Sequence, residues 1–137
     1  MSSFKIFDIA GSGMNAQNLR MNLVASNLAN VDAVSSSTDA TYRARQPVFQ
    51  AVLDRADSRN PAVGVRMVGV VESEAPLVRE YAPQHVLADA DGYIYRPNVN
   101  VVEEMANMIS ASRAYQNNVE VVNATRQMLS ATINLGR

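Results

Sequence analysis

Residues 100–136 read NVVEEMANMISASRAYQNNVEVVNATRQMLSATINLG. No Gly or Pro interrupts the stretch between Pro97 and Gly136. Val101, Met105, Met108, Ser112, Tyr115, Val119, Val122, Arg126, Leu129 and Ile133 follow each other at alternating spacings of four and three. That period predicts one long helix with a heptad seam. Asn100 suits the N-cap, and Glu103 and Glu104 favour the positive end of the helix dipole. Gly136 is a natural stop. At ~1.5 Å per residue the helix spans about 50 Å, which is long for a domain of this size. Ala114, Val121, Met128 and Leu135 form a second seven-residue series beside the seam.

The other end of the chain has a similar character. Over residues 4–31, Ile6, Ala10, Met14, Gln17, Met21, Val24, Leu28 and Val31 repeat at near-heptad spacing, and Ile9, Ala16, Leu19 and Leu23 widen the apolar face. A second helix is expected there. Gly11 and Gly13 disfavour a helix interior, so the helix either bends or admits a neighbouring backbone at close range. Its later half, MNLVASNLANVDA (21–33), carries three asparagines and a serine and no charge before Asp32.

Between the helices, residues 32–99 hold five prolines and the Asp91–Gly92 turn pair. The segments 62–73, 77–81 and 92–96 are short and rich in β-branched or aromatic residues, and read as strands of a small β-rich insert. Polar loops are expected at VSSSTDAT (34–41) and DRADSRNPA (54–62). The chain therefore divides into an N-terminal helical segment (1–31), a linker with the insert (32–99) and a C-terminal helix (100–137).

Charge separates the same parts. Of 25 charged residues, 18 fall in residues 32–104, and from Ile9 to Val31 the only one is Arg20. Helices with so little charge are poorly solvated if their outer faces meet water. One intramolecular helix cannot cover them, so neighbouring copies or related subunits are the expected cover. The net charge of −1 gives no support to a nucleic-acid or anionic-membrane partner. Eleven of the twelve basic residues are Arg, a usage that fits interfaces and coding bias equally.

Catalytic signatures are missing. The chain has no Cys, which excludes disulfides and thiolate chemistry. His85 has no marked nucleophile or orienting partner and reads as a turn histidine. DADG (89–92) lacks the remaining ligands of a calcium loop and reads as a β-turn. Gly11-Ser12-Gly13 lacks the Lys-Ser/Thr of a phosphate loop. No cofactor and no metal is expected. The methionines Met14, Met21, Met105, Met108 and Met128 read as adaptable filler on apolar faces. Arg113 and Arg126 either snorkel to solvent or hydrogen-bond at subunit contacts. The N-terminus lacks a Sec-type leader, and no run approaches the ~20 apolar residues of a membrane span.

Two motifs together resemble the flagellar basal-body rod and hook family. The first is FDIAGSGMNAQNLRMNLVASNLANVDA, with its core at Ser26-Asn27-Leu28-Ala29-Asn30. The second runs from Val101 to Val122, with ISASRAYQNNVEV (109–121) inside it. The linker YRARQPVF (42–49), the short insert and the absence of a Thr-Pro ending after the asparagines resemble the family's short proximal-rod branch.

The resemblance implies a structural subunit of the rod, the hollow shaft that joins the membrane ring to the hook. It implies a mainly α fold in which two long terminal helices form an antiparallel coiled-coil-like pair, packed in tubes, with the β insert outward. It implies export through the flagellar type III apparatus without signal cleavage. The partners it implies are other copies, neighbouring rod proteins, and membrane-ring and export-gate components. The residues expected to pack subunits are Asn15, Asn18, Met21, Asn22, Ser26, Asn27, Leu28 and Asn30 in the first helix. In the second they are Met105, Met108, Ser112, Arg113, Tyr115, Val119, Val122, Arg126 and Leu129. Some asparagines would bond neighbouring helices and others would face the channel. The free monomer, with this much unpartnered apolar face, is expected to be partly disordered at both ends. Another short rod subunit, a needle-like subunit, a helical export chaperone and an enzyme are competing readings. The insert disfavours the needle, the low helix charge the chaperone, and the missing catalytic groups the enzyme.

Overall fold

A computed structural model describes residues 3–53 and 63–136. The loop expected at 54–62 lies outside the described residues. Six elements follow in order: α1 (Ser3–Ala29), β1 (Arg45–Leu53), β2 (Val63–Glu72), β3 (Val78–Tyr81), β4 (Tyr93–Arg96) and α2 (Val101–Leu135).

Helix α1 runs unbroken through both glycines and ends two residues before the expected Val31. The side chain of Asn30 ends it by donating from Nδ2 to the Ser26 carbonyl at 2.8 Å, while its backbone N–H reaches the Ser26 and Asn27 carbonyls at 3.2 Å. These bonds satisfy carbonyls that a helix end otherwise leaves open. At the other helix, Asn100 is the N-cap, and its Oδ1 accepts from the Val102 and Glu103 N–H groups. Gly136 follows the last turn with φ of −90°, so the stop uses no left-handed residue.

The two helices pack against each other. Arg20 donates to Asn107 Oδ1 at 2.9 Å, and Gly13 faces Asn118. Those contacts run in opposite chain directions, so the pair is antiparallel. Gly13 explains one of the glycines: a Cβ there would meet Asn118 Nδ2 at 2.9 Å. A Cβ at Gly11 would meet nothing within 4 Å. At ~1.5 Å per residue α2 outreaches α1 by roughly 12 Å. Residues 130–135 of α2 are all exposed, past the end of its partner.

Strands β1 and β2 form an antiparallel hairpin with an irregularity between Val48 and Phe49, and β3 and β4 form a second antiparallel pair. Strand β1 was not expected, because Pro47 reads as a breaker. It is tolerated because Arg45, two residues earlier, turns its N–H and C=O away from β2 toward Asn27. Pro47 has its nitrogen on the same outer edge, where no ladder bond is lost. The hairpin packs on α1. Ser12 makes the junction there, donating Oγ–H to the Ile9 carbonyl at 2.8 Å and accepting the Val65 N–H at 3.1 Å. Helix α1 is thus covered from two sides within the chain, while the stripe of Asn15, Asn18 and Asn22 stays exposed.

The described hydrophobic core is thin. Its buried apolar residues are Ala10, Ala16, Val24, Ala44, Ile94 and Ala111, four of six being alanine. Small side chains let backbones approach closely but remove little apolar area from water. Polar contacts join the remaining segments. Asn98 accepts the Ala44 N–H at 2.8 Å and donates to the Ser73 and Ala75 carbonyls, and Arg43 reaches the same two carbonyls. The 34–41 loop joins β4 through paired Ser35–Tyr95 backbone bonds of 3.0 Å.

The 89–92 turn is what its sequence suggested. Asp89 Oδ1 accepts the Asp91 and Tyr93 N–H groups, and Gly92 takes φ of +82°, a conformation that favours glycine. The Tyr93 N–H is the main reason the Asp89 carboxyl is held below its ordinary range, with partial burial acting against it. Exposed His85 accepts the Leu87 N–H at Nδ1, a turn role.

Candidate functional site: a helix–linker junction and an open helix face

The charge-free end of α1 is built around Asn27, which is 1% exposed. Its amide pairs with both backbone groups of Arg45. Nδ2 donates to the carbonyl at 2.9 Å, and Oδ1 accepts the N–H at 2.9 Å. This is the geometry of a peptide pairing with the outer edge of β1. Asn27 Oδ1 also accepts the Tyr42 hydroxyl at 2.8 Å, and that hydroxyl lies 3.3 Å from Ser26 Oγ. The Asn27 side chain also lies near Glu104 of α2 and favours its carboxylate. One amide therefore ties α1, the linker and β1 together. A charged side chain could not supply donor and acceptor at once.

Glu104 is 6% exposed, and one of its carboxylate oxygens, Oε2, has no hydrogen-bond partner. Burial raises its pKa most, the nearby Glu103 adds to the rise, and the Asn27 amide and Arg20 pull the other way. Sequence reading assigned Glu104 to the helix dipole and did not foresee its burial. Its place on the α2 face that meets α1, one helical turn before Asn107 and Met108, is the signal that was available.

The other expected packing residues divide into two groups. Asn15, Asn18 and Asn22 are exposed and share one stripe of α1 with Ala25 and Ala29. Met21, Ser26, Leu28 and Asn30 are partly buried. On α2 the face turned inward carries Glu104, Ala111, Asn118 and Thr125, with Met108, Tyr115, Val122 and Leu129 partly buried beside them. Ser112 and Val119 are also partly buried, whereas Met105, Arg113 and Arg126 are exposed. The inward face is thus rotated from the expected seam toward small and polar residues. Of the second series, Val121, Met128 and Leu135 are exposed and Ala114 is partly buried.

The outer face of α2 is consequently apolar and wet. Val102 is 77% exposed, Met105 52% and Ile109 54%. Ala106, Ile109, Ser110, Arg113, Ala114 and Asn117 line a shallow groove along it. Arg113 and Arg126 have no ion-pair partner among the described residues. No helix is long and apolar enough to cross a membrane among the described residues.

Comparison with known proteins matches both ends of the chain. Residues 7–35 match the flagella basal body rod protein family, and residues 90–135 match the C-terminal family of flagellar basal body rod FlgEFG proteins. The flagellar basal-body rod protein FlgC of Salmonella typhimurium is 48% identical over 137 residues, covering all of both chains. The same protein of Escherichia coli O157:H7 is also 48% identical over the full length of both. That of Borreliella burgdorferi is 32% identical over 97% of each chain. With its two end motifs and full-length relatives of this similarity, the chain belongs to the FlgC family of flagellar basal-body rod proteins.

Proposed function

We propose that this chain, a structural subunit of the flagellar basal-body rod, is held in its shaft mainly through the outer face of α2. The observation that supports this most is the exposed Val102–Met105–Ile109 run on a helix whose other side is already occupied by α1. A shaft requires stiffness and no turnover, and long helices packed side by side supply it because their backbone hydrogen bonds are internal. Open helical assemblies use heterologous contacts, so a subunit needs apolar surface beyond its internal interface. Family membership implies assembly with other rod proteins.

In the finer reading, the helix pairs line a tube, the hairpins face outward, and ring and export-gate components meet the rod at its base. The exposed amides of Asn15, Asn18 and Asn22 suit a wall past which unfolded export substrates slide, since amides hold neither charged nor apolar segments strongly. The chain would reach its place through the flagellar export apparatus with its N-terminus uncleaved.

A deletion strain tests the reading. It is expected to be non-motile and to lack rod and hook in imaged basal bodies, with both restored by the intact gene. Normal basal bodies in that strain would refute it.

A further inference from the structure

Glu104 occupies a place where a carboxylate is expensive. It lies near Asn27 and Arg20 of α1, and lines one pocket with Arg45 of β1 and Asn107 of its own helix. The charged and titratable groups around it are few. Arg20 approaches from α1 and directs one of its N–H donors to Asn107 at 2.9 Å. Arg45 lines the same pocket from β1 and is engaged 3.3 Å away by Glu72 of β2. Tyr42 of the linker reaches Asn27 Oδ1, and Glu103 adds a like charge on α2 itself. Among the described residues no cation bonds Glu104 directly, and Oε2 is left without any donor. An ionised carboxylate in that position loses its hydration without full compensation, whereas the neutral acid loses far less.

We propose that Glu104 is a proton-operated latch, on which the junction of α1, α2 and β1 closes firmly when the carboxyl is neutral and loosens when it ionises. The sign follows from linkage. Burial raises the titration of this group in the folded chain. The folded state therefore holds the proton more tightly than the unfolded state. The stabilisation is present below the unfolded pKa and is lost as pH rises through the folded one. Above the folded titration of Glu104 the helix pair is in its looser condition. Acidification, or a neighbour that supplies a donor to Oε2, firms it. The latch concerns docking within one chain, so it stands whether or not the outer face of α2 is the assembly surface.

Glu104→Gln keeps the shape and removes the charge. Amide exchange of the full chain, corrected for intrinsic rates, should show wild-type protection at Asn27 and Ala111 falling between about pH 3, below the unfolded titration, and about pH 8. The fall should be about tenfold for each unit by which folding displaces the Glu104 titration, while the Gln variant stays within about twofold. The carboxyl carbon resonance of Glu104 in the wild-type chain should titrate above the ordinary glutamate midpoint of about 4.3. A midpoint at or below that value would overturn the proposal. So would equal pH dependence in the two chains, a Gln variant less protected than wild type at pH 8, or both chains unprotected at both pH values.

Discussion

Helices α1 and α2 look alike in sequence: both are poor in charge, and both carry near-heptad apolar repeats. The structure treats them differently. Helix α1 meets α2 on one side and the β1–β2 hairpin on another, and Ser12, Arg20, Asn27 and Asn30 are used inside the chain while the Asn15–Asn18–Asn22 stripe stays exposed. Helix α2 has one covered face, made of small and polar groups, and an outer face where Val102, Met105 and Ile109 meet water. Low charge therefore has two causes here. In α1 it reflects partners within the chain on two sides and a stripe of exposed amides on a third, and in α2 it marks an apolar surface that the chain itself leaves uncovered.

The sharpest test of that contrast is Asn27→Ala set beside Asn22→Ala. Removing Asn27 strands the Arg45 backbone groups and the Tyr42 hydroxyl, and should cost about 2–4 kcal/mol in denaturant unfolding. The exposed Asn22 amide should change stability by no more than about 0.5 kcal/mol. Equal losses would dissolve the distinction between enclosed and open amides. Next comes the pair of glycines. Gly13→Val forces bulk against Asn118 and should destabilise by about 1–3 kcal/mol. Gly11→Ala adds helix propensity in open space and should stabilise by about 0.5–1 kcal/mol. A smaller effect, about 1 kcal/mol, is expected for Ser12→Ala, which frees the Val65 N–H. Its exchange rate should rise more than those of amides along α2, since the hydroxyl joins the hairpin only to α1.

The elements were largely legible in the sequence, while the pairing of their side chains was not. A strong period, an Asn cap and the long Gly- and Pro-free run predict α2 closely. Strand β1 was hidden by Pro47, whose cost depends on which edge of a strand it occupies, and single-residue propensity does not carry that. Asn27 and Asn22 are the same residue type on the same helix. Only the return of the chain at Arg45, 18 residues later, makes one a buried tie and leaves the other exposed. The burial of Glu104 is hidden for the same reason, because a glutamate in a first helical turn is ordinarily solvated and favoured by the dipole. The family motif around Ser26–Asn30 was read as subunit packing, whereas the bonds of its central Asn27 lie within the subunit.

The central claim is that α1 is completed within the chain and α2 by its neighbours. Imaging basal bodies from a deletion strain that carries Ile109→Asp, a variant whose purified chain should unfold within about 0.5 kcal/mol of wild type, tests it most directly. The account predicts cells that make the protein but lack rod and hook. Complete basal bodies in that strain would contradict it.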